Sequence, residues 1–146
     1  MNTFVVDASV AVKWVVEEVG TTEALSLRRS ARLLAPELLV AECANVFWKK
    51  YQRKELTHEQ AVLAAKLIQG ADIEFLPMRG MLEPATRLAI ELDSPAYDCI
   101  YIALALQNDC KFITADDRFV RRVNLSSTRS LRGRAISLAE AAAALG

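Results

Sequence analysis

Apolar and polar positions along the chain fall into short apolar runs separated by longer stretches of helical period. Thr3-Phe4-Val5-Val6, Leu33-Leu34-Ala35, Ile73-Glu74-Phe75-Leu76 and Lys111-Phe112-Ile113-Thr114 have the length and composition of strands. The intervening pattern predicts helices from Asp7 to about Glu18, over 22–31, from Pro36 to about Lys54, over 57–69, over 81–92, from Ser94-Pro95 to about Asn108, and a short one from Asp116. Punctuation supports these boundaries. Gly20 closes the first helix, Pro36 suits a first helical position, and Pro84 is tolerated in a first turn. Thr57 and Gln60 have capping-box spacing, with Gly70 past the far end of that helix. Ser137 and Glu140 repeat the spacing for a terminal helix, and residues 124–134 read as a loop with a short strand. Strands alternating with helices imply an α/β sandwich around a parallel sheet, in a single domain over 1–146.

Composition narrows the class. At 146 residues and 53% hydrophobic, with few Gly and Pro, the chain suits a compact, helix-rich fold with a full core. No apolar run approaches the roughly 18–20 residues of a membrane span, and no basic segment precedes the first apolar residues. Cys43, Cys99 and Cys110 are odd in number and lie in apolar surroundings, which suggests reduced, buried thiols in a cytoplasmic protein. Net charge is zero, against a generic nucleic-acid binder. Yet Arg118, Arg121, Arg122, Arg129, Arg132 and Arg134 fall in a span to residue 139 that holds no acid. Such a segment can contact phosphate, or can be a solvated face balanced by acids elsewhere.

Four carboxylates carry the candidate chemistry. Asp7 closes the first apolar run, Glu42 interrupts Leu38-Leu39-Val40-Ala41, Asp98 lies within Ala96–Ala103, and Asp116 follows the last strand. No Lys or Arg stands within three residues of Asp7, Glu42 or Asp98. Buried acids without cations are costly unless they hold a metal. Asp7 and Asp116 sit at strand carboxyl ends, where ligands bind in parallel sheets. Glu42 and Asp98 lie on helices able to line the same crevice, and Asn45 shares a face with Glu42. Oxygen donors suit Mg²⁺ or Mn²⁺ rather than Zn²⁺, and the reaction such a site suggests is phosphodiester hydrolysis. Ser9 and Thr114, each two residues from an acid, can hydrogen-bond a carboxylate. Each acid also has a structural reading: Asp7 and Asp116 as N-caps, Asp98 as a first-turn acid favoured by the helix dipole.

Other chemistries have little support. His58 is the lone histidine and sits in a polar helix start, so Ser-His-Asp and His-metal sites lack a partner. There is no glycine-rich phosphate loop. Trp14, Trp48, Tyr97 and Tyr101 read as core or interface residues before base-stacking ones.

Taken together, Val6-Asp7-Ala8-Ser9-Val10-Ala11-Val12-Lys13-Trp14, the segment from Pro36 to Asn45, Tyr97-Asp98-Cys99-Ile100-Tyr101-Ile102-Ala103-Leu104-Ala105 and Thr114-Ala115-Asp116-Asp117-Arg118-Phe119 resemble, in order, the four motifs of the PIN-domain ribonucleases, specifically VapC-type toxins of toxin–antitoxin systems. The resemblance implies a three-layer α/β/α sandwich and a metal-dependent endoribonuclease. It implies Asp7, Glu42, Asp98 and Asp116 as the acidic site. Mg²⁺ or Mn²⁺ would be held chiefly by Asp7 and Asp98, with Asp116 completing the set. Ser9, Asn45 and Thr114 match supporting positions, and the Thr-x-Asp spacing favours Asp116 over Asp117. A homodimer, an RNA substrate and a small VapB-type antitoxin that places a basic side chain or peptide in the acidic groove are the implied partners; the clustered charge makes Arg118, Arg121 and Arg122 candidate RNA contacts.

Two other classes compete. A PIN-like module that binds RNA or protein without turnover would not need four uncompensated acids. A receiver-like domain would need a paired acid after the first strand and a Lys after the last, and a dehalogenase-like phosphatase would need Asp-x-Asp where this chain has Asp7-Ala8-Ser9.

Overall fold

Consecutive side chains leave opposite faces of a strand, so a run that is apolar throughout must be covered on both sides. The chain meets that requirement. In the computed structural model, which describes residues 1–145, β1 (Asn2–Val6) is the middle strand of a five-stranded sheet. It lies between β2 (Ala31–Pro36) and β4 (Lys111–Thr114), with β3 (Glu74–Leu76) beyond β2 and β5 (Ala135–Ser137) beyond β4. All four pairings are parallel. The register sets Val5 beside Leu34 and Phe112, and Val6 beside Ile113. Val6, Leu33 and Ile113 enter one core, whereas Val5, Leu34 and Phe112 enter the other.

The first core is closed by α1 (Ala8–Ala11), α2 (Thr21–Ser30), α3 (Leu38–Gln52), α4 (His58–Gln69) and α8 (Leu138–Leu145), through Val10, Leu27, Leu39, Ile68 and Leu138. The second is closed by α5 (Leu82–Leu92), α6 (Ala96–Gln107) and α7 (Asp117–Asn124), through Leu88, Ile102, Leu104, Phe119 and Val123. The result is the three-layer α/β/α sandwich that the sequence pattern and resemblance led us to expect. Among the described residues, no helix is long and apolar enough to cross a membrane.

Several boundaries differ from expectation. The first helix does not reach Glu18: it ends at Ala11 and tightens into a 3₁₀ turn over Val12–Trp14. Tertiary bonds take over there. The Trp14 indole N–H donates to the Ala24 carbonyl at 2.9 Å, and the Glu18 N–H donates to Thr21 Oγ1 at 3.0 Å, so the chain turns early into α2. Pro36 ends β2, in register with Leu76, instead of opening α3. Because proline lacks an N–H it suits a strand end as well as a helix start. The short strand assigned to 124–134 lies just after it, as β5. The Thr57–Gln60 capping box forms in full; at Ser137 the hydroxyl accepts from the Glu140 N–H at 3.1 Å and donates to the Glu140 carboxylate.

Gly20 has φ +94°, and a Cβ there would lie 3.2 Å from Lys13 Cδ and 3.3 Å from Leu138 Cδ2. Gly20→Ala is therefore expected to cost about 1–2 kcal/mol in chemical denaturation, from left-handed backbone strain plus crowding. Gly70→Ala, whose Cβ would meet only the Lys66 carbonyl at 3.7 Å, is expected to stay within about 0.5 kcal/mol of the parent.

Candidate active site

The chain leaves β1 toward the first helical layer and leaves β4 toward the second. The adjacent carboxyl ends of these strands therefore open a crevice between the layers, the place where parallel sheets bind ligands. Asp7 follows β1 directly and caps α1. Its Oδ1 accepts from the Ser9 hydroxyl at 2.5 Å and the Val10 N–H at 3.3 Å. Its Oδ2 accepts from the Thr114 hydroxyl, at the end of β4, at 2.6 Å. The Asp116 N–H donates to Thr114 Oγ1 at 3.1 Å, and the Ala115 N–H donates to Ser9 Oγ at 3.0 Å. These bonds fasten the two strand ends to each other. Asp116 caps α7 by accepting from the Phe119 N–H at 3.1 Å.

The other two acids come from helices on opposite faces of the sheet. Glu42 is half-buried on α3, and Asp98 is half-buried in the first turn of α6. Each layer thus contributes one acid at a strand end and one on a helix. Tyr101 crosses between the layers: its ring stacks on Phe112 of β4, with centroids 5.4 Å apart, and its hydroxyl donates to Glu42 Oε1. From sequence Tyr101 reads as a packing residue before a base-stacking one, and it is fully buried. The available signal was its position three residues beyond Asp98, on the same face of one helix.

Burial and mutual repulsion set the electrostatics. Burial pushes the Asp7 carboxyl up to about 6, against the lowering effect of its Ser9 and Thr114 hydrogen bonds, and Asp98 adds to the rise. Asp98 is also pushed up to about 6, first by burial and then by Asp116 and Glu42. Asp98 therefore feels each of the other three carboxylates. Among the described residues, none of the four is ion-paired with Lys or Arg. The Tyr101 hydroxyl is raised as well, by burial and the Glu42 contact, and stays a donor. Burial and neighbouring acids push Cys43 to about 12 and Cys99 to about 11, so neither thiol is a nucleophile at neutral pH.

The donor set is chemically suited to a hard divalent cation: all four groups are carboxylates, and Asp98 has no hydrogen-bond donor among the described residues. In this arrangement no three His, Cys, Asp or Glu side chains among the described residues converge as a formed metal centre. The acids are close enough to repel and would have to draw together around an ion.

The sequence matches the PIN domain family over residues 4–124. The chain belongs to the PIN-domain family. Solved structures share the fold. PAE2754 of Pyrobaculum aerophilum is similar with a TM-score of 0.68 and 19% identity, covering 99% of this chain and 89% of that one. A crystal structure of VapBC2 from Rickettsia felis, bound to a DNA fragment from its promoter, is similar with a TM-score of 0.64 and 13% identity, covering 92% of this chain and 98% of that one. The search of curated proteins found no match.

Within this PIN domain the remaining candidate residues divide. Ser9 and Thr114 are hydrogen-bonded into the crevice, whereas Asn45 is exposed, one turn past Glu42, and joins none of its hydrogen bonds. Asp116 and Asp117 are both exposed, Asp117 as the first residue of α7, and the acid that acts on Asp98 is Asp116. Arg118, Arg121 and Arg122 are exposed on α7, but the Arg122 guanidinium is committed to the Asp93 carbonyl at 2.7 Å. Arg132 and Arg134 likewise bond loop carbonyls, so much of the basic segment holds the chain together. Trp14 is buried, with the Arg28 guanidinium over its ring, and His58 is exposed.

A carboxyl raised above its unfolded value makes the folded protein bind more protons between about pH 4 and pH 6, so stability falls as pH rises through that window. Asp98→Asn removes one such charge. Discounted for solvent screening, it is expected to stabilise the metal-free protein by roughly 1 kcal/mol at pH 7 and by almost nothing near pH 4. Urea denaturation in EDTA at the two pH values measures this, and destabilisation at pH 7 would mean that the Asp98 charge makes a net favourable contact.

Proposed function

We propose that this PIN domain is a VapC-type toxin: a Mg²⁺- or Mn²⁺-dependent endoribonuclease that hydrolyses RNA phosphodiester bonds and is neutralised by a cognate VapB-type antitoxin. The observation that carries the reading is the shared crevice of Asp7, Glu42, Asp98 and Asp116, two acids from each layer, none of them ion-paired with Lys or Arg among the described residues. PIN domains are typically nucleases, and family membership supports the reading from a second direction. The likeness to a VapBC2 complex supports a VapB-type partner. A homodimer belongs to the same reading, supported by exposed Leu82, Ile90 and Tyr97.

Asp7, Asp98 and Asp116 would hold the ion. When bound, it supplies phosphate binding, an acidified water nucleophile and stabilisation of the leaving oxygen. The chain's own residues prepare for it. Ser9 and Thr114 orient the Asp7 carboxylate and favour its charged form. The Tyr101 hydroxyl occupies Glu42 Oε1, leaving Oε2 to take a proton from the attacking water. The first turn of α6 gives Asp98 a favourable backbone dipole. A non-catalytic binding module is the second reading, favoured by the absence of three converged ligands among the described residues.

Cleavage separates the two. Purified chain stripped of bound partner is expected to cut RNA with Mg²⁺ or Mn²⁺ and not in EDTA, and Asp98→Asn to lose at least about 100-fold. Equal cutting by parent and variant would trace the activity to a contaminant. Mg²⁺ at about 100 times its Kd is expected to stabilise the parent by about 2.7 kcal/mol and Asp7→Asn or Asp98→Asn far less. Equal metal-induced stabilisation in all three would sink the shared site.

A further inference from the structure

A groove of about 320 Å³ begins where the acidic crevice ends, with Ala8 and Ser9 at one end of its wall. Lys13, from the 3₁₀ turn after α1, and Lys49, Lys50 and Arg53, from the carboxyl end of α3, line the rest. Glu18 is the one acid in that lining, and Glu55 pairs with Lys50 from outside it at 3.6 Å, which leaves a surplus of two positive charges in a chain of zero net charge. Glu18 bridges two of the lysines, its Oε1 accepting from Lys13 Nζ and its Oε2 from Lys50 Nζ, both at 3.1 Å. Lys13 Nζ also donates to the Val19 carbonyl at 2.7 Å. These contacts fix the two ammonium groups before any ligand arrives, so less side-chain freedom is lost on binding. Lys49 and Arg53 are exposed and unpaired among the described residues.

The carboxyl-end dipole of α3 favours Lys49 and Lys50 where they stand. It does not account for Lys13, which reaches the same groove from another element. A polyanion approaching four carboxylates is repelled, and cations beside the crevice offset that repulsion.

We propose that this groove seats backbone phosphates of the RNA strand next to the scissile bond, passing the strand from the acidic crevice, past Ser9, onto Lys49 and Arg53. The proposal rests on the ribonuclease reading above and names a phosphate-binding wall for it. The wall lies in the helical layer opposite α7. It therefore gives the strand a second basic contact, across the crevice from Arg118 and Arg121.

The test uses the Asp98→Asn chain in EDTA, so that RNA is bound and not cut. A short fluorescent single-stranded RNA is titrated at several KCl concentrations. Lys49→Gln/Arg53→Gln is expected to weaken binding about tenfold at low salt and to lower the log–log salt slope by about 1.4, two contacts' worth. Arg32→Gln/Lys111→Gln removes the same charge at the amino ends of β2 and β4, the opposite end of the sheet, and is expected to change affinity less than about twofold. In the metal-loaded active chain, Lys49→Gln/Arg53→Gln is expected to raise KM rather than lower kcat. Matching thermal melts establish that both double variants fold.

Equal weakening by the two pairs would reduce the effect to overall charge and overturn the groove. Unchanged RNA binding by Lys49→Gln/Arg53→Gln, together with lost binding of an acidic peptide, would assign the groove to a protein partner and overturn it too. A parent that cleaves RNA while Lys49→Gln/Arg53→Gln binds normally would sink only this proposal. A parent that neither binds nor cleaves RNA would sink the ribonuclease reading and the groove together.

Discussion

Asp7 is a carboxylate taken out of water and held by hydroxyl and backbone donors from two strand ends. Thr114 reaches it from the end of β4, and Ser9 and Val10 reach it from the first turn of α1. The same two hydroxyls then accept from Ala115 and Asp116, so one small network sets the spacing of β1 and β4 and the start of α7. Everything in the crevice depends on it. It fastens the ends of β1 and β4 to each other where their following helices start. It also keeps a charged form available in a place where burial alone would favour the neutral acid.

The crevice is a compromise between packing and repulsion. Tyr101, Phe112 and Phe119 form a ladder of rings, one stacked contact and one edge contact, that presses α6 and α7 onto β4. That apolar contact brings Asp98 and Asp116 within reach of each other, although their charges oppose it. A Tyr at the end of the ladder, in place of Phe, supplies a hydroxyl to Glu42 and ties the opposing layer in. Repulsion among the acids leaves a negative field in the crevice, and the groove past Ser9 carries a surplus of positive charge beside it.

The capping reading of Asp7 and Asp116 is borne out. Each caps a helix, as a local reading of strand, acid and helix suggests, and each faces the crevice as well. A carboxylate has two oxygens with several lone pairs, so accepting one backbone N–H does not exclude a second role. The strand positions were legible because runs such as Val5-Val6 and Phe112-Ile113 must be buried on both faces. The end of the first helix was not, because it depends on Trp14 meeting Ala24 and on Thr21 meeting Glu18, contacts between segments that periodicity treats separately. Arg122 and Arg134 read as a basic surface for the same reason: their carbonyl acceptors belong to other parts of the chain, whereas Arg132 bonds Ser126 and Ser127 of its own loop.

Periodicity, apolar runs and turn residues, all local, determined the α/β class, the order of elements and which three of the four acids lacked a neighbouring cation. Only the tertiary structure decided that Asp98 lies close enough to feel Asp7, Glu42 and Asp116, that Tyr101 belongs with them, that Asn45 stands apart, and that Lys13 joins Lys49, Lys50 and Arg53 in one groove. The reason is physical. Hydrophobic pattern specifies which face of an element is buried, whereas the strand order 3-2-1-4-5 and the packing of side chains across the sheet determine which distant residues meet.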